Sequence, residues 1–198
     1  MSITLFLSMF AFSFVLSISP GPVNIMILSS SLNYGFKKTL SFISGATIGF
    51  TTLLIIISLG FEKLLVNSTI VVSSIEVFGS LFIIYMGYKI IMSTSIDLNN
   101  DKPIKYLRFH EGFLLQWLNP KAWFASISGV SLYSTSQENM YFFIVLYFIV
   151  CYVCLSFWAI IGNKISILFN SELKLKVFNL LMGGILIISA LYIIIFKT

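Results

Sequence analysis

The sequence predicts an all-α integral membrane protein whose six transmembrane helices form two inverted three-helix repeats. Three observations predict this fold class: an apolar composition, six apolar runs long enough to cross a bilayer, and proline breaks at corresponding places in the two halves. Of the 198 residues, 58% are hydrophobic and 10% are charged, against roughly 45–50% and 25% in an ordinary soluble domain. A chain of this length cannot bury so much apolar surface within itself, so we expect a lipid bilayer around it.

Each predicted span is a continuous apolar run. A helix needs about 20 residues to cross the hydrocarbon core, and six runs qualify: residues 5–32, 40–60, 70–92, 112–133, 140–161 and 177–196. Continuous runs favour helices over the alternating strands of a barrel. Because the polar connections are short, the whole chain, residues 1–198, is predicted to be one transmembrane domain. Residues 1–19 lack a basic start and lead into prolines, so we interpret them as part of the first span and not as a signal peptide.

The basic residues predict the orientation, because they gather in cytoplasmic connections. Lys63 and Lys197 would lie on one side of the membrane. Nine others would lie on the opposite side, in or beside the first, third and fifth connections: Lys37, Lys38, Lys89, Lys102, Lys105, Arg108, Lys164, Lys174 and Lys176. Both termini are therefore predicted outside. This bias accounts for the net charge of +5, which gives no argument for nucleic-acid binding.

Two predicted spans contain helix breaks. Pro20, Gly21 and Pro22 interrupt the first run, and Asn119-Pro120 interrupts the fourth near the expected midplane. Proline removes a backbone donor and clashes with the preceding turn. Paired breaks in inverted halves are typical of transporter binding sites, where freed backbone groups and helix ends meet the substrate. The alternative is that the prolines only kink their helices.

Lys121 is the basic residue expected near the midplane. A charge there costs about 2.5–3.5 kcal/mol on insertion scales, so it needs a partner or a wet cavity. We expect Lys121, with Asn24 and Asn119 nearby, to attract a substrate carboxylate or to form a switchable ion pair. In the alternative, Lys121 is a packed residue whose ammonium pairs with carbonyls that Pro120 frees.

Three acidic or titratable residues lie near predicted span ends. Glu76 is the nearest intramembrane acid, so it is either a proton-coupling site and partner of Lys121 or a residue that reaches the headgroups. Glu111 and His110 lie at the cytoplasmic mouth of the fourth span. For both we expect solvation at the membrane edge.

Other motifs point to packing. Cys151 and Cys154 have the spacing of a redox pair, but they lie inside the fifth run, where apolar surroundings mute thiol reactivity. Neither metal-ligand spacing nor a cofactor loop is evident, and no enzyme chemistry is predicted. Small residues are placed for close helix approach, at Gly45, Gly49, Gly79, Gly87, Gly183 and Gly184.

These motifs together resemble the LysE/RhtB family of exporters. The similarity covers most of the chain and lies in Ser19-Pro20-Gly21-Pro22-Val23-Asn24, Gly35-Phe36-Lys37, Tyr85-Met86-Gly87-Tyr88-Lys89 and Leu118-Asn119-Pro120-Lys121-Ala122. The stretch from Gln116 to Pro120 is nearer to the cysteine/O-acetylserine branch. The resemblance implies efflux of amino acids or close derivatives across the bacterial inner membrane, by exchange with protons. The substrate itself does not carry over.

The leading hypothesis is a multi-pass secondary transporter that needs no cofactor and binds its substrate at the two breaks. Its predicted site residues are Pro20, Gly21, Pro22, Asn24, Asn119, Pro120 and Lys121, with Glu76 for coupling. The partners are an amino acid, a proton and the lipid bilayer, and a homodimer is left open. Two alternatives remain: a membrane thiol–disulfide carrier that uses Cys151 and Cys154, and a non-transporting accessory subunit.

Overall fold

A computed structural model describes residues 2–61, 69–92, 106–166 and 172–195. Their secondary structure is helical, apart from turns and short connections. In chain order the α-helices are α1 (Ile3–Ile18), α2 (Pro22–Tyr34), α3 (Phe36–Ile56), α4 (Thr69–Ile91), α5 (Phe109–Trp117), α6 (Pro120–Tyr133), α7 (Gln137–Ile165) and α8 (Glu172–Ile195). A short π-helical turn, Ile57–Phe61, follows α3.

Both predicted helix breaks are present. The first apolar run is divided into α1 and α2, which meet at an angle of 58°. The fourth is divided into α5 and α6, separated by Leu118 and Asn119. Pro22 and Pro120 each begin the second helix of their pair, where proline is tolerated because the N–H it lacks would have no helical partner. The proline chemistry therefore predicted the breaks correctly.

Length and composition alone identify fewer spans than the six that were predicted. Within the described part of the chain, three helical stretches can cross a membrane: Phe36–Gly60, Gln137–Ile165 and Leu173–Tyr192. The bent pair of α1 and α2 provides a fourth. The described apolar part of α4, Val77–Ile91, is shorter than a span. The protein is thus an all-helical membrane protein with at least three such helices.

Glycines set the closest helix contacts. A Cβ atom added to Gly45 would lie 1.9 Å from the carbonyl oxygen of Phe109, and one added to Gly79 would lie 2.0 Å from that of Leu118. In each of these seams a glycine meets backbone, so the helices approach more closely than side chains would allow. Gly87 and Gly183 face each other in the same way between α4 and α8. The predicted packing role is confirmed at these positions.

Gly184 is the exception. A Cβ atom at Gly184 would have none of the described atoms within 4 Å, so the prediction of close packing there was wrong for the described part of the chain. Gly183, one residue earlier, is the glycine that meets α4. Adjacent residues on a helix point about 100° apart, so only one of the pair can face a given neighbour.

Helix α7 lies at the centre of the bundle. It packs against α1, α2 and α3, while α3 also packs against α5 and α4 packs against α8. This arrangement brings the break between α1 and α2 close to the break between α5 and α6, although about 100 residues separate them in the sequence. The two breaks therefore form one locality in the fold.

Candidate functional site

The C-terminal end of α1 leaves four carbonyl groups without helical partners, as every helix end does. For the Leu16 and Ile18 carbonyls this is unavoidable, because Pro20 and Pro22, four residues further on, have no N–H group to donate. Two of the four carbonyls accept hydrogen bonds from nearby side chains. Ser19 Oγ donates to the Leu16 carbonyl at 3.3 Å, and Asn24 Nδ2 donates to the Ser17 carbonyl at 2.9 Å.

The other two carbonyls are capped from the second half of the chain. Trp158 Nε1 donates to the Ile18 carbonyl at 3.1 Å. Lys121 Nζ donates to the Ser19 carbonyl at 2.8 Å and to Ser19 Oγ at 2.9 Å. An ammonium group at a helix C-terminus also interacts favourably with the negative end of the helix dipole. All four carbonyls thus have donors, and α1 is tied to α6 and α7.

Lys121 was expected to attract a substrate carboxylate or to form a switchable ion pair, and the alternative was a packed residue paired with carbonyls that Pro120 frees. In the structure its ammonium group donates to a carbonyl at the other break, that of Ser19. The lysine stem crosses the gap between the two breaks, so its ammonium group meets the end of α1 and not the end of its own half-helix. The side chain is half-buried.

The second break is capped by its own residues. Asn119 Oδ1 accepts a hydrogen bond from the Lys121 backbone N–H at 3.1 Å, and so forms the N-cap of α6. Trp123 Nε1 donates to the Trp117 carbonyl at 2.7 Å, at the end of α5. Asn119 and Asn24 therefore each use one end of their amide group to hold a break in shape, which positions the backbone around the gap.

A cavity of about 40 Å³ lies between the two breaks. Residues of α1, α2, α3, α5, α6 and α7 line it, so both halves contribute. Its polar wall contains Ser17, Asn24, Gln116, Asn119, Lys121 and Tyr147. The cavity has room for about three water molecules, since one needs roughly 10–15 Å³ measured in this way. An amino acid would require the walls to move apart.

The cavity has a positive electrostatic character. Among the described residues that line it, Lys121 carries a charge and none is acidic. Its wall also includes residues from the first turns of α2 and α6, Val23 and Ala122 among them. Helix N-termini carry partial positive charge, but Ser17 and Gln116 bring the last turns of α1 and α5, with partial negative charge, to the same wall, so the net charge is that of the ammonium group. The site is therefore suited to an anionic group such as a carboxylate.

Gly21 leaves space for the side chain of Lys121. Its φ of −169° is ordinary extended backbone. A Cβ atom at this position would lie 3.3 Å from Lys121 Nζ and 3.4 Å from Cδ of the same side chain. A glycine here lets the lysine side chain lie against the backbone of the first break. The three prolines that were predicted as site residues shape the breaks and do not line the cavity.

Two aromatic cavity residues were not singled out from the sequence. Tyr147 of α7 is 2% exposed and lines the wall, and Phe50 of α3 packs against it at an interplanar angle of 34° with ring centroids 4.4 Å apart. We predicted that Cys151 and Cys154 are core residues. Both are free and buried, but Cys151 also faces the cavity. No local motif marks Tyr147 or Phe50, and the Cys-x-x-Cys motif does not indicate a cavity, since these positions depend on how α3 and α7 pack.

Glu111 corrects a second expectation. It was predicted to be solvated at the membrane edge, but it is 8% exposed and forms an ion pair with Lys89 of α4. Its second oxygen accepts a hydrogen bond from the Arg108 backbone N–H at 2.8 Å, at the start of α5. A buried carboxylate needs such partners because desolvation is costly. His110 is exposed, as expected. Glu76 belongs to α4, but its side chain lies outside the described residues.

Comparison with known proteins identifies the family. The LysE type translocator family matches residues 14–196, which include both breaks and the cavity. The chain belongs to this family. It is accordingly a transporter and not an enzyme, which argues against a thiol–disulfide carrier. The resemblance that the sequence motifs indicated is confirmed.

Individual relatives have low sequence identity to this chain, but their alignments cover most of its length. Cysteine/O-acetylserine efflux proteins of Escherichia coli strain K12, Escherichia coli strain CFT073 and Shigella sonnei are each 25% identical to this chain over 175 residues. The aligned region covers 86% of this chain and 88% of each relative. No solved structure matches the chain significantly.

Proposed function

We propose that this protein is a secondary transporter that exports amino acids or close derivatives across the bacterial inner membrane through the cavity between its two breaks. The observation that carries the proposal is the hydrogen bond between Lys121 Nζ and the Ser19 carbonyl, which places a cation between two interrupted helices. Family membership supports transport. The names of the relatives support an amino-acid substrate.

The chemistry of the cavity suits the α-carboxylate of an amino acid. A carboxylate would compete with the neutral Ser19 carbonyl for the Lys121 ammonium, and a charge-assisted hydrogen bond is stronger than one to a neutral acceptor. Asn24, Asn119 and Gln116 offer polar groups at the same wall. Released from Lys121, the Ser19 carbonyl becomes an acceptor for the substrate ammonium group. Substrate binding would thus loosen the contact that ties the two breaks together.

Helix contacts support six spans in two inverted repeats. If α1–α4 and α5–α8 are equivalent halves, contacts should recur when the halves are exchanged. The contact of α1 and α2 with α7 corresponds to that of α5 and α6 with α3. The pairs α3 with α7 and α4 with α8 are their own counterparts. The two proline-initiated half-helices correspond in the same way.

Coupling to protons, with both termini outside and Glu76 as the coupling residue, completes the proposal. An inward proton gradient would drive export if a proton is carried in as the amino acid leaves. The positively charged connections support the orientation. A homodimer is compatible with the many apolar side chains exposed on the outer surface, but lipid accounts for them equally well.

Transport by the purified protein tests the proposal. Liposomes containing the protein are loaded with radiolabelled amino acids, beginning with cysteine and O-acetylserine, and efflux is measured with and without an imposed pH gradient. We expect substrate-selective efflux that the gradient accelerates. Efflux equal to that of protein-free liposomes for the whole panel would contradict transport and favour the accessory subunit. Efflux that ignores the gradient would contradict proton coupling alone.

A further inference from the structure

A second polar cavity lies next to the Lys89–Glu111 ion pair. It has a volume of about 20 Å³, and its wall includes Lys89 of α4 with Ser29, Ser30 and Asn33 of α2. The three α2 side chains are each at most 5% exposed. These buried groups are satisfied, as buried polar groups must be: Ser30 Oγ shares a hydrogen bond with Thr39 Oγ1, and Asn33 and Asn179 exchange hydrogen bonds of 2.9 and 3.0 Å. The ammonium group of Lys89 is the charged group among the described residues of the cavity wall.

The ammonium group of Lys89 already forms an ion pair with the Glu111 carboxylate. Because Lys89 belongs to α4 and Glu111 to α5, their ion pair holds one half of the chain against the other. Glu111 also caps its own helix through the Arg108 N–H. A free carboxylate has the same charge and geometry as the Glu111 side chain. An arriving amino acid could therefore replace Glu111 at Lys89 without leaving the lysine unpaired.

Helix α2 links this cavity to the one between the breaks. Val23 and Asn24 at its start line the first cavity, whereas Ser30 and Asn33 near its end line the second. Ten residues from Val23 to Asn33 correspond to roughly 15 Å along a helix. Between these two ends Ile25, Met26, Ile27 and Leu28 are apolar, so α2 carries its polar groups at its two ends, each beside a cation.

On the side of the first cavity away from Lys89 lies a cluster of aromatic side chains. There Tyr133 and Phe143 have ring centroids 4.7 Å apart, and Phe12 packs on Tyr133 at 5.6 Å. Tyr133 also shares a hydrogen bond of 2.9 Å with Ser8. Among the described residues, an aromatic cluster therefore lies beyond the first cavity on one side and an ion pair lies beyond it on the other. Only the ion-pair side offers a charged group to a substrate.

We propose that Lys89 is a second carboxylate-binding site, at the cytoplasmic mouth, and that the substrate carboxylate opens this mouth by displacing Glu111. The inference rests on the proposed export function, because an exported amino acid must arrive from this side. Lys89 receives the carboxylate first, and Lys121 receives it after passage along α2. In the unloaded protein Glu111 keeps the mouth closed.

Reactivity of Cys151 reports opening without any substrate. In a Cys154→Ser background Cys151 is the remaining thiol, and it faces the first cavity. The impermeant reagent 2-sulfonatoethyl methanethiosulfonate is applied to inverted and to right-side-out membrane vesicles. Glu111→Gln removes the charge but retains an oxygen for the Arg108 N–H. We expect its Cys151 to react about tenfold faster in inverted vesicles only, as a shift toward the open state predicts.

The matched control is Glu138→Gln, which changes an exposed carboxylate in the first turn of α7. Its Cys151 should react at the parent rate in both kinds of vesicle. An unchanged rate in Glu111→Gln, or an equal rise from both sides, would overturn the gate. Because this measurement needs no substrate, it can succeed or fail independently of the export assay.

Substrate recognition by Lys89 needs a separate measurement. In proteoliposomes Lys89→Met should raise the KM for substrate loaded inside the vesicles at least fivefold, because the substrate carboxylate loses a partner. Inhibition by the carboxamide analogue of the substrate, which has no carboxylate, should stay unchanged. The reversed pair, Lys89→Glu with Glu111→Lys, should restore slow Cys151 labelling but leave the KM high. Restoration of both would show an ion pair with a structural role alone. An unchanged KM in Lys89→Met would also overturn the binding site.

Discussion

Replacing Lys121 by methionine separates transport from folding. The substitution keeps most of the side-chain length and removes the ammonium group that donates to Ser19. If that group binds the substrate carboxylate, export should fall by at least tenfold, which corresponds to about 1.4 kcal/mol at the limiting step. The fold should be affected much less.

Two opposing free energies set the effect on stability. Removing the donor leaves the Ser19 carbonyl without its partner, which costs about 1–3 kcal/mol. Removing a charge from the membrane interior gains about 2.5–3.5 kcal/mol on insertion scales. Because these contributions largely cancel, the free energy of unfolding should fall by no more than about 0.5 kcal/mol or rise by no more than about 2.5 kcal/mol. Expression and detergent stability should therefore stay close to those of the parent protein.

The assay is efflux from proteoliposomes, with thermal unfolding measured on the same preparations. Lys164→Met is the matched control, because Lys164 is exposed near the end of α7, and it should leave both measurements unchanged. Lys121→Arg tests shape, since a planar guanidinium does not replace a compact ammonium group in a tight site. Parent-level export by the methionine variant would show that Lys121 is only a packed residue. The proposed site would then have to be abandoned.

Two further predictions concern packing and orientation. Gly79→Ala places a methyl group 2.0 Å from the Leu118 carbonyl oxygen, and it should lower the free energy of unfolding by about 1–3 kcal/mol, measured by thermal unfolding. Gly184→Ala, with none of the described atoms within 4 Å, should leave it unchanged. Equal stability of the two variants would refute the close packing of α4 against Leu118. In a background without native thiols, a cysteine at Asn139 should react with an impermeant maleimide in intact cells and one at Asn100 should not, and the reverse pattern would invert the topology.

The breaks and glycine seams could be predicted because they depend on local chemistry. Pro22 and Pro120 cannot continue a hydrogen-bond ladder wherever they lie, and a glycine in an apolar run offers backbone to any neighbour. The partners of these groups depend on the tertiary fold. Trp158 caps Ile18 across 140 residues, and no pattern in either segment indicates that they meet.

Charged residues were harder to interpret than apolar ones. Lys121 was identified from its depth alone, but its partner at the first break, the Ser19 carbonyl, was not foreseen. Glu111 was wrongly expected to be solvated, because its partner Lys89 belongs to a different predicted span. A hydropathy pattern gives the depth of a residue in the membrane. It does not give the direction in which the residue points, and that direction decides which charges pair.

During synthesis the first span enters the membrane before half of its capping groups exist. Ser19 and Asn24 are made with it, but Lys121 and Trp158 follow roughly 100 and 140 residues later. Until then two of its carbonyls have no protein donor, and hydrocarbon tolerates such groups poorly. The nascent span must therefore keep contact with water or with the insertion machinery. A polypeptide truncated before Lys121 should be degraded by membrane quality-control proteases, however hydrophobic its remaining helices are.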